Sequence, residues 1–165
     1  MKVSSSAIKN GFFEDKYGKR GTQFSPNGMP NYSIPLDISD VPAGTKSFAL
    51  VLEDKDAVGA AGYVWIHWLV ANLQRTSLPE NDSISATDYV QGRNSWSGKL
   101  GGLSAEEASF YGGMAPPNAD HRYELYVYAL DCELDLAPGF GFNDLHFAMQ
   151  GHILDRAYLV GVYTL

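Results

Sequence analysis

The hydrophobic positions of this chain fall in short runs divided by turn residues, the spacing expected of strands rather than of long helices. Ile34–Ile38 is apolar at alternate positions and runs into the turn Val41-Pro42-Ala43-Gly44. Ser47–Leu52 is a continuous apolar run, which predicts a strand covered on both faces. Val64–Leu73 is a second run, rich in aromatic and β-branched residues. Arg122–Leu130 alternates, with Tyr123, Leu125, Val127 and Ala129 on one face and Glu124, Tyr126 and Tyr128 on the other. Tyr158–Leu165 predicts a closing strand. Two short helices are expected. Ser104 and Glu107 have capping-box spacing before a stop at Tyr111-Gly112-Gly113. Asn143-Asp144 is the expected cap of a second helix through Gln150, with Gly151 past its end and Leu145, Ala148 and Met149 as its buried stripe. Many strands with few short helices predict an all-β fold, an antiparallel Greek-key β-sandwich.

Composition narrows this picture. The 165 residues fit one domain, residues 1–165, with no internal repeat or low-complexity stretch. Seventeen glycines, eight prolines and 13% aromatics favour strands and turns. Twelve Lys+Arg against nineteen Asp+Glu give a formal charge of −7, which repels nucleic acid and an anionic membrane face. No segment approaches the roughly 20 apolar residues that span a bilayer, and Met1–Gly11 has no apolar signal core, so a cytoplasmic location is expected. Cys132 is the single cysteine, so no internal disulfide forms, and a packing role is expected of it. The long irregular segment from Asp88 to Met114 reads as a lid or an interface, with Trp96 packed onto something.

Three clusters carry candidate chemistry. Asp54-Lys55-Asp56 follows the first apolar run, and extended geometry through Asp56 would point both carboxylates to one side. His67 sits inside the second run, where a buried imidazole requires a partner. The Asp54/Asp56 pair is the natural candidate and would raise its pKa. Tyr111-Gly112-Gly113-Met114-Ala115-Pro116-Pro117 precedes His121-Arg122-Tyr123, and its glycine N–H groups are candidate ligand contacts. The plainer readings are a solvated turn, a hydrogen-bonded core histidine and a tight turn before a strand.

In order and spacing, Asp54-x-Asp56, His67-Trp68 and Gly112-Gly113-x-x-Pro116-Pro117-x-x-x-His121-Arg122-Tyr123 resemble the two signature regions of the phosphatidylethanolamine-binding proteins. The chain looks closest to their bacterial Raf-kinase-inhibitor-like branch. Gln91-Gly92-Arg93-Asn94-Ser95-Trp96 and Tyr128-Ala129-Leu130-Asp131 agree with it, and the resemblance runs from about Phe24 to the end. It implies a sandwich with a small anion-accepting pocket for phosphate or phosphorylethanolamine-like head groups. Asp54, Asp56, His67, Pro117, His121 and Tyr123 would line that pocket, with Gly113 on its rim and Trp65 nearby. Lys55 and Val58 stand where many members carry proline.

The function expected is binding, with at least one histidine protonated beside the anion, and no metal or cofactor. A partner protein, kinase or protease, is a further expectation of the resemblance, and the Asp88–Met114 segment is the candidate surface for it or for a homodimer contact. The competing class is a hydrolase, metal-dependent or metal-free, that uses the two Asp and two His. It lacks a helical His-Glu-x-x-His and a nucleophile-elbow serine.

Overall fold

In the computed structural model, which describes residues 1–165, ten strands run in the order β1 (Lys2–Ser4), β2 (Ile8–Lys9), β3 (Phe12–Phe13), β4 (Leu36–Ser39), β5 (Ser47–Asp54), β6 (Trp65–Leu73), β7 (Ser77–Leu78), β8 (Val90–Gly92), β9 (His121–Leu130) and β10 (Ile153–Tyr163). Two α-helices, α1 (Val58–Ala61) and α2 (Phe142–Ala148), and three short 3-10 turns complete the regular structure. The strands form a three-stranded sheet, β1-β4-β7, and a seven-stranded sheet, β2-β3-β10-β9-β5-β6-β8. All pairings are antiparallel except β3 with β10, which meet in parallel through Phe12 and Val162. The molecule is thus mostly β, as the pattern predicts, with one short parallel pair in the sandwich.

The apolar run at Ser47 is continuous because β5 lies between β9 and β6 and is buried along its whole length. Its Phe48, Leu50 and Leu52 face the inter-sheet core, together with Leu36, Ile38 and Leu78 of the small sheet. Its Ala49 and Val51 face the opposite way, onto Leu134, Phe140 and the α2 residues Leu145 and Met149. The alternating strand β9 sends Tyr123, Leu125, Val127 and Ala129 into the inter-sheet core. On its other face Tyr126 stacks on Tyr128 and on Tyr158 of β10, and Tyr158 stays 62% exposed.

The helix expectations meet different fates. Ser104 and Glu107 form the reciprocal capping bonds, Ser104 N–H to Glu107 Oε2 at 2.8 Å and Glu107 N–H to Ser104 Oγ at 3.2 Å, yet only turns follow. The glycines that follow leave too little chain to propagate a helix. The second helix forms as α2, but it ends at Ala148, and its N-cap is Gly141 rather than Asn143 or Asp144, with the Gly141 N–H donating to Asp144 Oδ2 at 2.7 Å. Leu145 and Met149 are buried, Ala148 is half-buried, and Gly151 takes a left-handed φ of 82° just beyond. β1, β2, β3, β7, β8 and α1 are four residues or fewer, too short to leave a period in the sequence. No helix is long and apolar enough to cross a membrane.

Candidate functional site

Strand register builds the site. Asp54, the last residue of β5, pairs with Trp65 of β6 on one side and Tyr123 of β9 on the other. His67 and His121 lie two residues from those partners. One end of the main sheet therefore gathers residues from three sequence regions.

His67 reaches this end through an irregularity. Leu52 pairs with Trp68 but Glu53 pairs with Ile66, so His67 is the extra residue of a β-bulge. A bulge breaks the two-residue alternation and re-aims the side chain it contains. His67 and the glycine segment then clasp each other. Gly112 N–H donates to the His67 carbonyl at 2.8 Å, and His67 Nδ1 donates to the Gly112 carbonyl at 2.6 Å. The partner of the buried imidazole is thus a backbone carbonyl, not a carboxylate. Burial lowers the His67 pKa below its ordinary 6.5, outweighing the Gly112 carbonyl and the more distant Asp54 charge. The expected rise is corrected to a fall: desolvation of the imidazolium wins because no carboxylate touches the ring. With Nδ1 carrying the proton, neutral His67 keeps Nε2 as an acceptor.

Asp54 is 3% exposed and fully engaged. Its Oδ1 accepts from Ala57 N–H at 3.0 Å, fixing the turn into α1. Its Oδ2 accepts from His121 Nδ1 at 2.7 Å, and His121 Nε2 lies 3.0 Å from Asn118 Oδ1. Asp56 goes elsewhere. β5 ends at Asp54, so the alternation expected to align the two carboxylates stops before Asp56. Asp56 instead accepts from Arg122: its backbone N–H at 2.9 Å, Nε at 3.2 Å and Nη2 at 3.1 Å. These bonds hold the Asp56 pKa below its usual range.

Gly112 and Gly113 serve close packing. A Cβ on Gly112 would lie 2.8 Å from Asn94 Nδ2 and 2.9 Å from Trp96 Cδ1, and one on Gly113 would lie 2.6 Å from the Tyr17 carbonyl oxygen. Gly113 N–H donates to the Pro30 carbonyl at 2.7 Å, so both glycine donors are spent inside the protein. The expectation that they face a ligand is corrected: the backbone there binds Tyr17, Pro30 and His67.

A cleft of about 340 Å³ opens at this end of the sheet. Asp54, His67, Pro117 and Tyr123 line it, so the structure brings these four predicted residues together. His121 sits behind Asp54 on an outer hollow shared with Asp56, Asn118 and Arg122. Trp65, Trp96, Leu100 and the α1 alanines Ala60 and Ala61 supply the other walls. Trp65 stacks on Tyr63 at 5.8 Å and meets Trp96 edge-on at 6.1 Å. The Asp88–Met114 segment is thus a wall of the cleft, and Trp96 is a lining residue that the sequence reading placed only as packed. A signal for it exists in Asn94-Ser95-Trp96. Buried Asn94 caps a 3-10 turn by accepting from Trp96 N–H at 2.9 Å, and anchors the segment by donating to the Phe110 carbonyl at 2.8 Å.

Two of the residues that line this cleft each carry a buried donor without a hydrogen-bond partner, Trp96 Nε1 and Tyr123 Oη. Tyr123 packs edge-on to His67 at 5.1 Å and is completely buried. Burial, and after it the neighbouring Asp54 carboxylate, pushes the Tyr123 pKa far above the ordinary phenol range, so the hydroxyl remains a donor.

Fold and site together define a β-sandwich protein with an aromatic-walled cleft, floored by a carboxylate and a neutral histidine. The sequence profile of the family described as phosphatidylethanolamine-binding protein matches residues 3–164, and the chain belongs to that family. The Bacillus subtilis protein YxkA is 41% identical over 150 residues, covering 88% of this chain and 89% of its own. A UPF0098 protein of Methanothermobacter thermautotrophicus is 39% identical over 94% of this chain and 97% of its own. Among solved structures, a Chlamydia trachomatis homologue of the phosphatidylethanolamine-binding proteins superimposes with a TM-score of 0.79 at 35% identity, covering 99% of this chain and 97% of the other. Escherichia coli YbcL, described as a member of the mammalian family, gives 0.78 at 27% identity, covering 99% and 98%.

Proposed function

We propose that the cleft binds a small anion of the phosphate or phosphorylethanolamine kind and that the protein acts by binding rather than by turnover. The observation that carries this reading is the pair of orphaned donors, Trp96 Nε1 and Tyr123 Oη. A buried donor without a partner costs about 1–3 kcal/mol. Both atoms are closed off from solvent, so a ligand oxygen meets them only as the aromatic wall shifts, and each bond then recovers that cost. Neutral His67 supports a particular protonation state. Its Nε2 accepts the proton of a singly charged phosphate, whereas the Asp54 carboxylate opposes a doubly charged one. The aromatic and alanine walls suit a ligand with an apolar arm beyond its charged head. Hydrolysis is less well supported: Asp54 orients His121, but His121 Nε2 faces Asn118 and its ring lies outside the cleft lining.

Isothermal titration with inorganic phosphate and with phosphorylethanolamine tests the reading, each from pH 5.5 to 8.5. Binding is expected to weaken as pH rises and the singly charged phosphate gives way to the doubly charged form. Trp96→Phe, which keeps the wall and removes the donor, is expected to weaken binding about tenfold. Absence of binding by both probes, or equal affinity in the variant, would sink the proposal.

A further inference from the structure

We propose that Asp131, Cys132 and His152 form a second site, for a thiophilic divalent cation such as Zn2+. One ligand atom from each residue lies within 4.8 Å of the other two. The site is independent of the cleft. It flanks the start of β5 and the end of β9, while the cleft lies at the opposite ends of those strands. Seven strand steps separate Ser47 from Asp54, roughly 23 Å.

The three residues come from distant segments, and the backbone holds them together. Leu130 of β9 pairs with Ile153 of β10, and the next residue outward on each strand is a ligand, Asp131 and His152. Asp131 N–H donates to the His152 carbonyl at 3.1 Å. The Cys132 carbonyl accepts from Ser47 Oγ at 2.5 Å. His152 N–H donates to the Met149 carbonyl at 3.0 Å, and left-handed Gly151 turns the chain out of α2 towards it. Every ligand therefore has its main chain pinned, and only side-chain rotation is left to complete a site.

That rotation is small. Bonds of about 2.0–2.3 Å to tetrahedral zinc put ligand atoms about 3.3–3.8 Å apart. His152 Nδ1 and Asp131 Oδ1, now hydrogen-bonded at 2.8 Å, must separate slightly, while no pair has to close by more than about 1.5 Å. One thiolate, one imidazole and one carboxylate favour zinc over magnesium or calcium, which take oxygen ligands. Three protein ligands leave the fourth position to water. His152 is exposed and the other two are half-buried, so the ion has a path in. Of the charges near the Cys132 thiol, Asp131 is itself a ligand and Lys46 opposes it. On binding, the Cys132 S–H bond breaks, its proton goes to solvent and a Zn–S bond forms, with no change of oxidation state.

The test is titration of the reduced protein with Zn2+ against a chromophoric chelator, and with Co2+ followed by absorption. The wild type is expected to bind one equivalent and to show a thiolate-to-cobalt charge-transfer band. Cys132→Ser is expected to lose the band and at least ~10-fold in Zn2+ affinity, because loss of a mere outer-shell partner already costs about 10–100-fold. His152→Ala is expected to weaken Zn2+ to a similar extent. Unfolding midpoints of both variants in chelator, unchanged from wild type, show that the loss is one of ligands. A wild type without the cobalt band, or Zn2+ affinity that survives Cys132→Ser, overturns the site.

Discussion

Tyr123→Phe separates the cost of the cleft in the free protein from its use in the liganded one. The wild-type hydroxyl is fully buried and lacks a hydrogen-bond partner. Phenylalanine keeps the ring against His67, 5.1 Å away, and against Phe13, 6.4 Å away. Removing the orphaned group relieves a penalty of about 1–3 kcal/mol, so the free variant should be the more stable protein. For a chain of this length each kcal/mol raises the melting temperature by about 2–4 °C. Binding should move the opposite way. A hydrogen bond to a charged oxygen contributes about 1.5–3 kcal/mol, which corresponds to a loss of about 10–150-fold in phosphate affinity. The two effects cross in one assay. At phosphate equal to 100 times the wild-type dissociation constant, the wild type gains about 2.7 kcal/mol from ligand, whereas a variant bound tenfold more weakly gains about 1.4 kcal/mol. Scanning calorimetry with and without phosphate reads both. A Tyr123→Phe protein that melts at or below the wild-type temperature and gains as much from phosphate would refute the orphaned-donor argument.

Two further expectations follow from the same geometry. The His67 pKa is depressed in the folded protein, so the unfolded chain binds more protons around and below pH 6.5, and stability falls as pH drops through that window. The slope from this one group is at most about 1.4 kcal/mol per pH unit, read as the change in urea midpoint between pH 7 and 5.5. His67→Gln should flatten it, and an unchanged slope would mean that other groups carry the effect. Gly113→Ala brings a Cβ to 2.6 Å from the Tyr17 carbonyl oxygen and 2.8 Å from Pro30 Cβ, neither of them the end of a flexible chain. It should cost about 1–3 kcal/mol in urea unfolding, and a variant as stable as wild type would show that this close approach is not required.

The strands that make the core were legible along the chain because burial imposes a pattern. β5, covered on both faces, reads as an unbroken apolar run, and β9 reads as an alternation because its two faces meet different surroundings. The family was legible for a related reason: Asp54, His67, Gly112-Gly113 and His121 keep their order and spacing within separate local segments. What the chain could not show was how those segments meet. Asp54 and Asp56 are neighbours in sequence, yet the end of β5 between them sends one to His121 and the other to Arg122. The bulge at His67 and the carbonyl of Gly112 decided the proton on that imidazole, reversing the sign of the expected shift. Trp96 became a cleft wall only because Asn94 pins its loop to Phe110. Periodicity is a property of one segment facing one environment, so sequence carries it. Hydrogen-bond partners and desolvation are set by groups 45 or 67 residues away, and only the folded chain brings them within 3 Å.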